Sequence, residues 1–306
     1  MGLDYYSRRK YKHKKFVYLL DDEEKTAWIA KGHIGRCRRY RLPDHLMVGG
    51  ECYTVESVEF GTYNHPHTLQ HLVIPDSFVY VDEDTLYDLP NLRSVHIGKR
   101  VEYLRSWNFR LCPKLQSVDI DKDNPHIKYE NGMALSKDGK KLLAAFFERS
   151  HVTVPDGVEE ISHIVFMDHQ KLESVTFPNT LRKIGDNSFG NCPNLRSVTL
   201  PEGFEKFWIQ SFLENTNLKH VDLPSTLTDL GYQTFDDCPN LQTVVLRSPK
   251  KLEFKDSFGA YVHGAYAHDT HIVACLFVPA NLVEQYRQDP KWSLFKQILP
   301  INERKI

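Results

Sequence analysis

The sequence is poor in the features that assign a chain to a common functional class. No apolar run approaches the ~20 residues that a membrane-spanning helix requires, and the apolar stretch at 16–20 is too short for a signal-peptide core. We therefore expect no membrane span and no export signal in the sequence as given. Asn-x-Ser/Thr sites and the Gly-x-Ser-x-Gly and His-Glu-x-x-His motifs of hydrolases are absent. An enzyme is the least favoured class, and we predict no catalytic residue and no cofactor.

Net charge is also nearly absent, although the charge is unevenly distributed. The 306 residues carry a formal charge of −1, and 41% of them are apolar, as in a soluble globular protein. Residues 1–41 carry 12 Lys and Arg against 5 Asp and Glu, a charge of +7, and the remainder carries −8. The basic residues include Arg36, Arg38, Arg39 and Arg41, which could contact an anionic glycan, lipid or nucleic acid. No nucleic-acid-binding signature accompanies them, so no nucleic-acid partner is expected.

The sequence is rich in one feature, a repeat with a period of ~23 residues, which lies in the range of solenoid repeats. The motif Leu-x-x-Val-x-Leu-Pro, or a close variant, begins at Leu69, Leu92, Leu115, Leu172, Leu195, Leu218 and Leu241. The one long step, from Leu115 to Leu172, contains a degenerate copy at 149–155 and an inserted segment. A fixed period of this length is typical of a solenoid in which each repeat forms one coil.

Positions inside the repeat predict how a coil folds. Alternating apolar residues in segments such as "SVTLP" predict a strand with one buried face, which the proline ends. An aromatic or leucine side chain recurs at one fixed distance after the proline position, at Leu86, Phe109, Phe166, Phe189, Phe212, Phe235 and Phe258. One repeat cannot bury these residues alone, so we expect stacked repeats with this column as the spine of a continuous core.

Cysteine also follows the repeat. Cys112, Cys192 and Cys238 each stand at the same distance after the proline position, where a small, buried packing residue is expected. They do not belong to adjacent repeats, so the even number of six cysteines does not indicate a disulfide framework.

Units of the form LxSVxIPxxVxxIGxxSFxxCPNLxSVxLP resemble the bacterial BspA-like leucine-rich repeats of the LRR_5 type, over nearly the whole chain. Residues 16–35 resemble the hairpin that opens such arrays. Residues 124–146 resemble a hairpin insertion common within them, and 276–301 resemble their closing segment, with Tyr286, Trp292 and Phe295. Arg105 and Trp208 depart from the pattern, because they stand where glycine is usual.

The resemblance implies a mainly β chain with short helical segments, folded as a right-handed leucine-rich-repeat solenoid of ~23-residue units with a cap at each end. We expect an N-terminal tail and β cap at 1–45, and a repeat array at 46–265 with the hairpin insertion at about 124–146. A C-terminal cap is expected at 266–306, and the whole is expected to form one continuous domain.

The resemblance also implies a non-enzymatic scaffold for protein or glycan binding, in adhesion or interaction at a bacterial cell surface or in secreted form. We expect a monomer. A structural spacer without a ligand of its own is the alternative function, and the cytoplasm is the alternative location because no export signal is visible.

In such a solenoid the exposed residues of the strands form columns on the inner face. Half of these positions are Ser or Thr, which suit a crowded sheet face with or without a ligand. The most polar members, His96, Asp119, His220 and Asp222, are candidate binding residues.

A second candidate surface is the irregular loop at 259–274, since loops that interrupt a repeat often carry binding residues. Tyr261, His263 and Tyr266 are its candidate residues. Histidines at 65–71 and 263–271 are of the right type for a metal, but their spacing matches no closed zinc site, and no metal site is predicted.

Overall fold

The structure is a computed structural model that describes residues 8–32, 34–58, 67–81, 86, 88–104, 106–109, 111–259, 261–262, 265–266 and 272–304. For 107, 261–262 and 265–266 it describes the backbone alone. These residues form 25 β-strands, and the one α-helix among them has 5 residues. The predicted mainly β fold is therefore confirmed. No helix in the described part of the chain is long and apolar enough to cross a membrane.

The chain divides into two compact units, of which the first holds residues 1–138 and 143–147. Its strands are β1 (Arg9–His13), β2 (Phe16–Asp21), β3 (Thr26–Gly32), β4 (Arg39–Arg41), β5 (His45–Val48), β6 (Glu51–Val58), β7 (His71–Ile74), β8 (Tyr80–Val81), β9 (Ser94–Ile97), β10 (Ser117–Ile120), β11 (Ile127–Glu130) and β12 (Met133–Ser136). A 3-10 helix covers Ser106–Phe109. Strand β13 (Lys141–Ala145) begins in the second unit and ends in the first.

The first unit joins a mixed opening sheet, in which β3 and β6 pair in parallel, to the first repeats. β2 and β3 pair antiparallel within residues 16–35, where the opening hairpin is expected, and the sheet order is β1-β2-β3-β6-β5. A parallel sheet of order β4-β7-β9-β10 follows. Its register aligns Leu72 with Val95 and Val95 with Val118, each one full repeat further along the chain. β11 and β12 form an antiparallel hairpin inside the segment where an insertion is expected.

The second unit holds residues 139–142 and 148–306. Its strands are β14 (His151–Thr153), β15 (Glu160–Ile161), β16 (Ser174–Thr176), β17 (Lys183–Ile184), β18 (Ser197–Thr199), β19 (Lys206–Phe207), β20 (His220–Leu223), β21 (Thr243–Leu246), β22 (Tyr261–Val262), β23 (Ala265–Tyr266), β24 (Ile272–Val278) and β25 (Phe295–Pro300). Helix α1 covers Val283–Arg287, and 3-10 helices cover Ala280–Leu282, Trp292–Leu294 and Ile301–Glu303.

The coils of the second unit form two parallel ladders, one of longer strands and one of the two-residue strands β15, β17 and β19. Along the long strands, Val198 aligns with Val221 and Val221 with Val244. Along the short ones, Ile161 aligns with Ile184 and Ile184 with Phe207. All of these side chains are buried. The period of the sequence repeat is therefore the register of both ladders, as expected of a solenoid coil.

The predicted phenylalanine spine is confirmed. In the second unit Phe166, Phe189, Phe212, Phe235 and Phe258 are buried, and each ring stacks on the next at centroid distances of 4.8–5.5 Å with interplanar angles of at most 17°. In the first unit, Leu86 and Phe109 hold the same column and are also buried.

The cysteine column is buried as expected, and the structure adds a role for it. Cys192 Sγ donates to the Phe166 carbonyl at 3.1 Å, and Cys238 Sγ to that of Phe212 at 3.5 Å. Asn215 holds the same position in the coil between them, and its side-chain amide donates to the Phe189 carbonyl at 2.8 Å. This column therefore supplies a side-chain donor to a carbonyl of the preceding coil. The Phe166 carbonyl also accepts the His169 N–H at 3.2 Å, and the Phe212 carbonyl also accepts the Asn215 amide at 2.7 Å.

The cysteines form no disulfides: all six are free, as the sequence predicts. Burial raises the pKa of Cys112, Cys192 and Cys238 to about 12. Each thiol is therefore protonated at neutral pH and can act as a hydrogen-bond donor.

The closing segment covers the last ring of the spine. Trp292 is fully buried, and its ring lies 5.9 Å from Phe258. Its indole Nε1 donates to the Leu252 carbonyl at 3.1 Å, while the hydroxyl of Tyr286 accepts the Leu252 N–H at 3.0 Å. Both polar tips are thus satisfied by one backbone residue, which lets two large aromatic side chains seal the end of this unit.

Candidate functional site

The structure brings two sets of predicted binding residues onto one sheet of the first unit. β4 pairs with β7 in parallel, so Arg39 aligns with His71 and Arg41 with Val73. Val73 in turn aligns with His96, and His96 with Asp119. Side chains two apart on a strand share a face, so the arginines extend the polar columns of the repeats. Arg39 and Arg41 are exposed, as are the preceding Arg36 and Arg38.

His96 and Asp119 contact each other directly. His96 Nδ1 lies 2.7 Å from a carboxylate oxygen of Asp119. Since a carboxylate only accepts, Nδ1 is the donor in this contact.

Three side chains near this pair could hold a divalent cation. Ligand atoms of Asp76, His96 and Asp121, from three successive repeats, lie within 4.8 Å of one another. Spacing along the chain could not reveal this group, because stacking brings its members together. Both aspartates also accept backbone N–H groups, from Lys99 at 3.0 Å and Asp123 at 2.8 Å. The bond to Asp121 is local to its turn, and the bond to Asp76 links adjacent coils. Neither bond requires an ion.

The other two candidate column residues lie on β20 of the second unit, where they differ in their surroundings. His220 is exposed. Asp222 accepts two hydrogen bonds from the guanidinium of Arg247, both at 2.8 Å, and a third from Arg304 at 3.0 Å. The bond to Asp222 raises the pKa of Arg247. Asp222 therefore joins the closing segment to the strand face.

We expect Asp222→Asn to lower the free energy of unfolding by ~1 kcal/mol, because both arginines lose their charged partner while remaining partly solvated. The effect should shrink when NaCl is raised to about 0.5 M, since salt screens exposed charges. Urea unfolding at low and high salt measures both. An effect that is equally large at both salt concentrations would contradict an electrostatic role.

The loop candidates are only partly placed. Tyr261 and Tyr266 are aligned partners in the antiparallel pair β22–β23, and the structure describes their backbone alone. His263 lies outside the described residues.

A surface that the sequence analysis did not predict lies on the second unit. Trp208, Ile209 and Tyr232 are 44%, 48% and 44% exposed, and we call these three residues the aromatic patch. Ile209 and Tyr232 are one repeat period apart, at the same position of adjacent coils. The available signal was Trp208 itself, because a large aromatic residue replaces the usual glycine there.

The backbone holds the aromatic patch in place. The N–H of Gln210 donates to the Tyr232 carbonyl at 2.7 Å, and the side chain of Gln210 donates to that of Gln233 at 2.8 Å. The two coils are thus tied together directly behind the exposed side chains. The Lys206 ammonium lies 4.5 Å from the Trp208 ring centroid, a cation–π contact. The indole also packs edge-on against the ring of His163, at a centroid distance of 6.0 Å, and His163 belongs to an earlier coil.

A cavity of about 570 Å³ adjoins the aromatic patch, with Tyr232 in its wall. The charged residues that line it are Lys251, Lys255 and Lys291, and Glu253, Asp256 and Asp289. Positive and negative charges are therefore equal in number. We call this cavity the Tyr232 pocket.

The lysines of the Tyr232 pocket are paired with carboxylates. Lys291 lies 2.9 Å from Asp256, and this hydrogen bond raises the pKa of Lys291. Lys255 lies 2.8 Å from Asp229, and Lys251 contacts Asp289. Burial acts to raise the pKa of Asp229, but the bond from Lys255 and others outweigh it, so the pKa is lowered. Leu252 and Phe254 also line the pocket, so its wall combines apolar side chains with paired charges of equal number.

A comparison with family models finds that the one described as BspA type Leucine rich repeat region matches residues 53–131 and 143–258, in 6 copies, which is more than half of the chain. No curated protein sequence matches.

Among solved structures, the pneumococcal vaccine antigen PcpA is similar over 97% of this chain and 99% of its own, with a TM-score of 0.57 and 15% identity. A leucine-rich repeat protein from Eubacterium ventriosum is similar over 83% and 84%, with a TM-score of 0.51 and 13% identity. At these low identities the structural similarity shows a shared fold alone, and the expected leucine-rich-repeat fold is confirmed.

Proposed function

This chain belongs to the BspA-type leucine-rich repeat family, and from that premise we propose that it is a non-enzymatic scaffold that binds a protein or a glycan at a bacterial cell surface. Support for a scaffold comes from the repeat, whose recurring positions specify core packing and coil register. Support for a surface location comes from the family and from a structural neighbour that is described as a vaccine antigen. The proposed acting form is the monomer.

The aromatic patch is the observation that carries the binding proposal. Trp208 and Ile209 are consecutive, Ile209 and Tyr232 hold the same position in adjacent coils, and all three side chains are 44–48% exposed. Exposing them costs free energy, and exposed aromatic clusters on folded proteins mark sites of interaction. A spacer that binds nothing gains no advantage from a tryptophan where a glycine is usual. Tryptophan and tyrosine are also the residues that dominate binding energy when they become buried in an interface.

The proposal predicts that one double variant abolishes most binding. In a screen of the purified chain against host matrix proteins and a glycan array, Trp208→Ala with Tyr232→Ala should weaken any interaction at least ~30-fold. This corresponds to the loss of about 2 kcal/mol at a binding hot spot.

The matched control is Tyr103→Ala, which removes a 63%-exposed aromatic side chain from the first unit. Its binding should equal that of the unchanged chain. A second comparison uses Arg39→Ser with Arg41→Ser, which removes two exposed charges from the first-unit sheet. Binding that survives the aromatic double variant but is lost with the arginines would contradict this assignment. A blank screen with folded protein would favour the spacer function.

A further inference from the structure

The Tyr232 pocket and the aromatic patch together have the chemistry of a carbohydrate site. We propose that they bind a neutral oligosaccharide, with one sugar ring in the pocket against Tyr232 and the next against Trp208 and Ile209. This inference rests on the proposed binding function and specifies its ligand class.

Size is the first argument. The volume of about 570 Å³ lies within the ~300–1,000 Å³ that small-molecule sites occupy. The pocket does not end at its rim, because Tyr232 belongs both to its wall and to the aromatic patch. Adjacent coils are spaced as neighbouring strands, roughly 4.8 Å apart. Ile209 therefore extends the surface by one coil, and the indole of Trp208 continues it toward His163, which favours an elongated ligand over a compact one.

Charge is the second argument. Three lysines and three carboxylates line the pocket, so the site has no net charge with which to attract a charged ligand. To pair with a lysine, an anionic ligand would have to break the ion pair of Lys291 with Asp256 or that of Lys251 with Asp289. A neutral polyhydroxylated ligand needs no such exchange. Its hydroxyl groups can donate to carboxylate oxygens and accept from ammonium groups that remain in their ion pairs.

The aromatic side chains supply the third argument. The faces of Tyr and Trp rings carry negative electrostatic potential and attract the weakly positive C–H groups of a sugar ring. Such contacts bury the apolar face of the sugar while its hydroxyl groups face the polar lining. A peptide ligand would be expected to meet fewer charged side chains around the centre of its site.

The test uses the full chain on a printed array of neutral oligosaccharides of hexoses and N-acetylhexosamines, together with sialylated and sulfated counterparts. We expect binding to neutral members, followed by calorimetry with the best of them. Tyr232→Ala should weaken that binding at least ~10-fold, whereas Tyr232→Phe should change it less than ~3-fold, because the ring supplies the contact. Tyr103→Ala should have no effect, and circular dichroism verifies the fold of each variant.

Ionic strength separates this mode from an electrostatic one. Affinity for the neutral oligosaccharide should change less than about 2-fold between low salt and about 0.5 M NaCl, since no charged contact is screened. Binding restricted to sulfated or sialylated members, with a steep loss in salt, would overturn the inference. So would neutral binding that is unchanged in Tyr232→Ala.

The inference and the proposed function fail in different ways. Matrix proteins that bind through Trp208 and Tyr232, with an empty glycan array, would overturn the carbohydrate ligand and leave the binding scaffold standing. An absence of both kinds of binding would overturn both.

Discussion

Phe212→Ala should lower the free energy of unfolding of the second unit by about 4 kcal/mol, which is the cost of removing a buried phenylalanine. The ring of Phe212 is fully buried between two others, with centroids 4.8 Å from Phe189 and 5.4 Å from Phe235. Truncation leaves a cavity in the middle of the spine and removes both stacking contacts at once. Neighbouring coils cannot close it, because their spacing is fixed by the strand ladders on both sides.

Urea unfolding followed by circular dichroism measures this effect. Phe212→Leu should cost less, about 1–2 kcal/mol, since leucine keeps most of the volume. Leucine occurs naturally at this position of the coil, since Leu86 holds it in the first unit and is buried there. Tyr232→Ala removes a comparable ring from the surface of an adjacent coil and should change stability by less than ~0.5 kcal/mol. A loss below about 1 kcal/mol for Phe212→Ala would show that neither the stacking contacts nor the filled volume of this ring contributes substantially to stability.

The core was predictable from the sequence because one physical rule fixes it. A coil that stacks on its neighbour needs the same kind of apolar side chain at the equivalent position of its backbone, so Phe189, Phe212 and Phe235 recur at one spacing. The buried column that holds Cys192, Asn215 and Cys238, which we call the donor column, was predicted only in part. Cysteine at 112, 192 and 238 indicated small buried residues. Cys192 and Asn215 are one period apart in the sequence, and the structure adds that both donate to a carbonyl of the preceding coil.

The candidate site was far less predictable, because the repeat constrains what is buried and leaves the surface free. Periodicity pointed to the strand columns, and Asp222 was selected there for its charge. Its three hydrogen bonds to Arg247 and Arg304 depend on a closing segment that no repeat position specifies. The aromatic patch arose from a departure, Trp208 in place of glycine. The partners of Lys251 and Lys291 come from different segments, and sequence spacing carries no information about such pairs.

One residue at a position of the donor column, His169, has a buried ring nitrogen without a hydrogen-bond partner among the described residues. His169 stands as far after Pro155 as Cys192 stands after Pro178, so it holds the same position in an earlier coil. It is 9% exposed and packs edge-on against Phe166 with ring centroids 5.4 Å apart. Within the described part of the chain, no hydrogen-bond partner reaches its Nδ1 atom. A buried imidazole in this setting cannot readily accept a proton.

This burial makes the second unit sensitive to acid. Burial lowers the pKa of His169 to about 4, although the nearby charge of Asp168 acts in the opposite direction. In the unfolded chain the same imidazole binds a proton near pH 6.5, its ordinary pKa. Between these values the unfolded state holds more protons than the folded state, so stability falls as the pH falls. At pH 7 the group has almost no effect. By pH 4 the accumulated loss is about 3 kcal/mol, at 1.36 kcal/mol for each unit of pKa difference.

His169→Asn should remove this part of the acid sensitivity, because asparagine fits the donor column at Asn215 and does not titrate. The measurement is the free energy of unfolding at several pH values from 7 to 4, for both proteins. Their difference should change by about 3 kcal/mol in favour of the variant as the pH falls. His220→Asn, which replaces an exposed histidine of the same unit, should follow the unchanged chain. Parallel curves for His169→Asn and the unchanged chain would mean that the folded state accepts the proton, with solvent or a moved side chain reaching the imidazole. The column would then be a looser part of the core than the fully buried spine beside it.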